Sequence, residues 1–190
     1  MAEKLAKAKT VKAVKTESKA KKDVSGNPMR KIFIEKVILS AGGKADNLTK
    51  AKKLIEMVSG KKAEIIVSQK RIPAFDVRPG LEVGTRVTIR DAEALALLRR
   101  ILGAVDNKLK KSSAADNHIS FGIKEYIEIP GMEYQRDIGI RGFNITVVFA
   151  RAGLRVARKK IKQGHIPHRQ HVAKEDVIKF MKEEFKSEFI

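Results

Sequence analysis

The stretch Val83-Gly-Thr-Arg-Val-Thr-Ile-Arg90 sets Val83, Thr85, Val87 and Ile89 against Gly84, Arg86, Thr88 and Arg90. Period-two alternation of this kind is a β-strand with one face toward a core. The other face carries two arginines and a threonine, so the sheet it joins is not apolar on both sides. Asp91 follows as a candidate helix cap. Beyond it Leu95, Leu98, Ile101, Leu102, Val105 and Leu109 recur at spacings of three and four, the apolar stripe of a helix. A polar-faced strand followed at once by an amphipathic helix implies helices on one side of the sheet and an open second side.

Upstream, Arg71-Ile-Pro-Ala-Phe-Asp-Val-Arg-Pro-Gly80 holds two prolines and a glycine and is expected to be an extended loop. Glu64 to Ser68 is a short strand around Ile65, Ile66 and Val67. Before it, Asp46 or Asn47 caps a helix with Leu48, Ala51, Leu54, Ile55 and Val58 on one face, and Gly60 stops it. Ile32 to Leu39 is the first strand, with Ser40-Ala-Gly-Gly-Lys44 as its turn. Downstream, Ile119, Phe121, Ile123, Ile127 and Ile129 alternate up to Pro130-Gly131, and Ile145, Val147 and Phe149 begin a last strand. Val177, Ile178, Met181 and Phe185 stripe a C-terminal helix.

Strands that cluster without regular helical spacers predict an α+β (mixed α/β) single domain, a mainly antiparallel sheet with helices packed on one face. Residues 29–190 form this globular domain. Residues 1–28 are a Lys/Ala-rich tail whose small side chains bury too little surface to offset chain entropy, so it is expected to be disordered.

The 190 residues carry 41 Lys+Arg against 22 Asp+Glu, a net charge of +19, which favours a polyanionic partner. The charge is concentrated. From Met1 to Val24 eight lysines face three acidic residues; from Arg151 to Lys174 eight basic residues meet no acidic one. In this second segment Arg155, Arg158, Lys159, Lys160, Lys162, His165, His168 and Arg169 are candidate RNA-phosphate contacts. The absence of cysteine excludes disulfides, thiolate metal sites and a cysteine nucleophile. No apolar run of membrane-spanning length and no secretory-type N-terminus are visible, so a cytosolic protein is expected.

Gly42-Gly43-Lys44 lies between strand and helix, but Ala45 follows the lysine and the first glycine of GxxxxGK[ST] is missing, so it reads as a turn. His165, His168 and His171 have the wrong spacing for one helix face and are interrupted by Pro167; they read as phosphate-facing imidazoles, with no metal expected. Glu125 and Glu128 lie on opposite faces of a strand, Asp137 is in a loop, and Ser112-Ser113 lack a base; no catalytic group converges and no cofactor is implied. Tyr126, Tyr134, Phe75 and Phe121 are the aromatics that could stack on bases. Phe121 shares the apolar alternation and fits the core, whereas Phe75 stands between Arg71 and Arg78, where no core pattern claims it.

Met29-Arg-Lys-Ile32, Arg71 to Gly80, Val87-Thr-Ile-Arg90, Ser120-Phe-Gly-Ile-Lys-Glu-Tyr-Ile-Glu-Ile-Pro-Gly-Met-Glu-Tyr134 and Asp137-Ile-Gly-Ile140 stand in order. Together they resemble the large-subunit ribosomal protein L-five family in its archaeal form, over about Met29 to Phe185. The resemblance implies a structural ribosomal protein that binds 5S rRNA, attaches it in the central protuberance, contacts P-site tRNA and helps bridge to a small-subunit protein. It implies a monomer within the ribosome, in contact with large-subunit rRNA. By position, the family's 5S-binding residues look like Ser40, Lys61, Thr88 and Arg90, and Arg86 shares the polar face of the last two. Ile72, Pro73, Ala74, Phe75, Arg78 and Gly80 match its tRNA-contacting loop. Relatives more often read Gly-x-Gly-Glu where Ala41-Gly-Gly-Lys44 stands, and Asn or His at Ser40. Ala173 replaces a common Thr or Ser helix cap, a loss of roughly 0.5–2 kcal/mol. A general nucleic-acid-binding architectural protein is the alternative, and a basic hydrolase with an unfamiliar site is a more distant one.

Overall fold

The computed structural model describes residues 27–190. The tail expected over residues 1–28 lies outside the described residues up to residue 26. Among residues 27–31, Pro28–Arg30 form one 3-10 turn, with Asn27 accepting from the Met29 and Arg30 amides at 3.0 and 2.9 Å.

In the compact unit Ile32–Ile190, strand β1 (Ile32–Gly42) leads into helix α1 (Asp46–Ser59) and strand β2 (Glu64–Val67). Strand β3 (Glu82–Ile89) leads into helix α2 (Asp91–Ala104). The short strands β4 (Lys108–Leu109) and β5 (Ala114–Ala115) precede β6 (His118–Ile123) and β7 (Phe143–Arg151). A single turn of helix α3 (Arg155–Arg158), helix α4 (Lys174–Phe185) and strand β8 (Glu188–Phe189) complete the chain.

The six-stranded sheet has the order β2-β3-β1-β7-β6-β5, with every pairing antiparallel. Strands β4 and β8 pair in parallel beside it. Register aligns Val87, Leu39 and Ile145 in one row, and Ile89, Val37, Val147 and Ile119 in the next. All are buried, and α1 and α2 cover them through Leu48, Ala51, Leu54, Ile55 and Val58, and through Ala94, Leu97, Leu98, Ile101 and Leu102. Alternation makes the sheet two-sided: one face meets helices and the other does not. The α+β reading, with helices on one face, holds.

Several local expectations need correction. Ser40 to Gly42 is strand, not turn, because β1 continues its pairing to Gly84 of β3 and the chain turns only at Gly43. Glycine is favoured there, since a Cβ on Gly43 would lie a tight 3.0 Å from the Asn47 carbonyl carbon. Neither Asp46 nor Asn47 caps α1: the cap position falls on Ala45, and Asn47 instead accepts two 2.7 Å bonds from Arg141. Asp91 likewise does not cap α2; the cap position is Arg90, without a side-chain bond. Leu95 is exposed, and small Ala94 together with Leu97 takes the inward face. The Ile119–Ile129 alternation is strand only to Ile123. Tyr126–Glu128 is a 3-10 turn, so Glu125 and Glu128 are not on opposite faces of a strand, and Ile127 is exposed. The uncapped Ala173 is served from elsewhere: Asp116 Oδ1 accepts from the Lys174 amide at 3.1 Å.

Candidate nucleic-acid interface

The second sheet face repeats the register in polar residues. One row runs Glu64, Arg86, Ser40, Asn144, Gly122; the next runs Thr88, Ile38, Thr146, Ser120. A third brings Lys36, Val148 and His118 together. Their side chains are exposed or partly buried, in contrast to the fully buried rows of the helix-covered face. Ser120 and Thr146 hydroxyls meet at 3.0 Å, and each retains further donor or acceptor capacity. The rows carry four hydroxyls, from Ser40, Thr88, Ser120 and Thr146, and the Asn144 amide, with few charges among them. That composition suits ribose hydroxyls and backbone oxygens rather than a small substrate.

The structure brings the expected residues together in two places. Ser40 and Arg86 are direct cross-strand partners. Lys61, Thr88 and Arg90 line one shallow depression with Asp91, Ala92 and Glu93. Each cation here already has a carboxylate. Arg86 Nε lies 3.0 Å from Glu64 Oε2, Lys61 is paired with Glu93, and Arg90 is 3.9 Å from Glu35. The first two pairs are solvent-exposed and worth at most about 1 kcal/mol, so a phosphate can displace them.

The segment Arg71 to Gly80 is not an extended loop. Ile72 and Val77 exchange two backbone hydrogen bonds, and Pro73–Phe75 form a 3-10 turn between them, closed by Asp76 in a left-handed conformation. Proline at the first turn position needs no N–H donor, which is why it sits there. Buried Val77 anchors the loop, while Ile72, Pro73, Ala74, Phe75, Arg78 and Gly80 are exposed, Phe75 by 66%. The turn thus holds an exposed phenyl ring between Arg71 and Arg78.

The basic segment is tied down at both ends. Arg151 Nη2 pairs with Asp176 Oδ2 at 2.7 Å and its Nη1 donates to the Arg169 carbonyl. The Asp116-Asn117 turn holds the far end, with Asn117 Oδ1 accepting from the Val172 amide at 2.8 Å. Between these anchors Arg155, Arg158, Lys159, Lys160, Lys162, His165, His168 and Arg169 are all exposed. Only Arg158 of these makes an ion pair among the described residues. Neighbouring imidazoles of His165, His168 and His171 lie 6.5 and 5.8 Å apart between ring centres.

Tyr126 is no stacking candidate: it is fully buried, and its hydroxyl accepts from the Gln135 amide at 2.8 Å. Tyr134 stays exposed, and Phe121 packs at the edge of the core. The Gly43 amide is taken by the Val83 carbonyl at 3.1 Å, so it is not free to cradle a phosphate. Sequence reasoning did not nominate Asn144, Thr146 and Ser120. The signal was present, since they alternate with Ile145, Val147, Ile119 and Phe121, but only register places them beside Ser40 and Thr88.

The sequence has relatives among known proteins. Residues 82–180 match the C-terminus of the ribosomal L5P family. The chain is 40% identical over 161 residues to the large ribosomal subunit protein uL5 of Nanoarchaeum equitans, covering 83% of this chain and 95% of that one. It is 39% identical to uL5 of Sulfurisphaera tokodaii over 163 residues, 84% and 92% of the two chains. With uL5 of Archaeoglobus fulgidus the identity is 34% over 173 residues, 90% and 96%. Matches at this identity over nearly the full length of the relatives leave one assignment: the chain belongs to the ribosomal L5P family.

Proposed function

We propose that this protein attaches 5S rRNA in the central protuberance of the large ribosomal subunit, using the open sheet face for recognition and the basic segment for rRNA phosphates. Family membership makes it a structural, non-enzymatic constituent of that subunit, and in this reading it works in the cytoplasm as a monomer within the ribosome. The observation that carries the reading is the uncovered face, where Ser40, Arg86, Thr88, Asn144, Thr146 and Ser120 lie in adjoining rows. Hydroxyl and amide groups spaced by a sheet can contact ribose 2′-hydroxyls across a wide, shallow minor groove. Phosphate contacts from the segment around Lys159, and from the basic residues of 1–28, position the RNA without reading it. The braced loop carrying Phe75 and Arg78 contacts P-site tRNA, and a further contact bridges to a small-subunit protein.

The test is quantitative. Arg90→Ala should weaken binding to 5S rRNA by about 10- to 100-fold, the span expected for a charge-assisted contact. Thr88→Val should cost a smaller factor, and both variants should melt as the parent does, since both side chains are exposed. Parental 5S affinity in both would remove the face from the interface. Phe75→Ala and Arg78→Ala are expected to leave 5S affinity unchanged and to reduce tRNA occupancy of reconstituted subunits several-fold. Loss of 5S binding in the loop variants instead would refute this division of labour. Sedimentation of a lysate should find the chain with the large subunit in equimolar amount.

A further inference from the structure

We infer that Glu35 is a positioning residue that sets Arg90 and Arg158 together for RNA phosphates and thereby governs the preference for structured RNA over other polyanions. The inference rests on the RNA reading above and adds a specificity device to it. Strand β1 shifts register against β7 between Ile34 and Lys36, so Glu35 is the extra residue of a β-bulge. Bulges re-aim a side chain that regular pleating would send elsewhere. The Glu35 side chain is only 10% exposed, and its Oε1 lies 2.7 Å from Arg158 Nη2 and 3.9 Å from Arg90 Nη1.

Oε1 is buried, and the two guanidinium groups are the cations that face it. Both guanidinium side chains remain about half exposed, at 56% and 54%. Each has five N–H donors in a planar fork suited to phosphate, and one shared carboxylate oxygen leaves most of them unspent. Arg90 ends the open sheet face and Arg158 ends α3 in the basic segment, so the carboxylate joins the two halves of the proposed interface. For stability alone, an apolar side chain in a nearly buried site would serve as well or better. The charge is therefore read as functional: it restrains two cations in place and cancels one of them, which lowers attraction to polyanions of the wrong shape.

Full-length Glu35→Gln keeps the shape and removes the charge; Glu35→Asp keeps the charge on a shorter stem. Binding is measured to 5S rRNA and to a mixed-sequence DNA duplex between 50 and 200 mM KCl, with thermal unfolding alongside. In Glu35→Gln, DNA binding is expected to tighten several-fold and its log–log salt slope to steepen by about 0.9, one more engaged phosphate. The ratio of 5S to DNA affinity should fall about tenfold, and Glu35→Asp should restore part of it. Unchanged slope and ratio in a folded Glu35→Gln variant overturn the inference, as does a lowered melting temperature with both binding readouts unmoved. Should Glu35→Gln fail to fold, Arg158→Gln decides: a parental 5S-to-DNA ratio there would equally overturn it. If the parent protein itself shows no 5S preference, the RNA reading fails, while the DNA slope still reports whether Glu35 restrains the arginines.

Discussion

Glutamine at Arg155, Lys159, Lys160 and Lys162 together is expected to flatten the salt dependence of rRNA binding by about three to four units of log–log slope. Each neutralised phosphate contributes roughly 0.9 to that slope on a duplex, so four unpaired cations account for the change. Between 50 and 200 mM KCl the parent should then lose roughly 150-fold more affinity than the variant. These four side chains are exposed and have no carboxylate partner among the described residues. The fold should therefore be indifferent to their replacement. Arg158 is excluded from the set because Glu35 holds it. Titrations of a large-subunit rRNA fragment at several salt concentrations read the slope directly. Parallel slopes for parent and variant would show that the segment faces solvent and not RNA.

Phe149→Ala should cost about 3–5 kcal/mol of stability, a large share of the roughly 5–15 kcal/mol that holds a domain folded. Phe149 is 1% exposed on the helix-facing side of β7, and its ring meets Phe180 edge-to-face, with centroids 5.5 Å apart. Truncation removes the transfer free energy of the ring and leaves a cavity between the sheet and α4. A urea titration should show a lowered midpoint, and melting should fall by about 10 °C. A loss under about 1 kcal/mol would mean that α4 closes over the gap and that this contact does not hold the layer.

Most of the architecture was legible because the informative patterns are local. The five residues of α1 expected to face inward are the five that are buried, and Gly60 ends that helix in the left-handed conformation expected of it. The alternation of Val83 to Arg90 marked the open face before any partner strand was known. Misreadings occurred where tertiary contacts outweighed a local preference. Tyr126 looked like an exposed aromatic in a strand, yet the chain leaves the sheet after Ile123 and turns the ring inward to meet the Gln135 amide. Asn47 is a good cap by type, but Arg141, far along the chain, claims its side chain. Leu95 belongs to the apolar spacing of α2, yet it is exposed and Ala94 takes the buried position beside it.

From residues alone came the secondary-structure periods, the inward and outward sides, and the location of the charge, because side-chain direction in a strand or helix follows from the backbone repeat. Tertiary structure alone decided which groups meet: Ser120 with Thr146, Arg86 with Glu64, and Glu35 with both Arg90 and Arg158. Those pairings depend on strand register, a bulge and loop closure over long separations. Such distances are set by the packing of the whole domain, to which no local sequence window is sensitive.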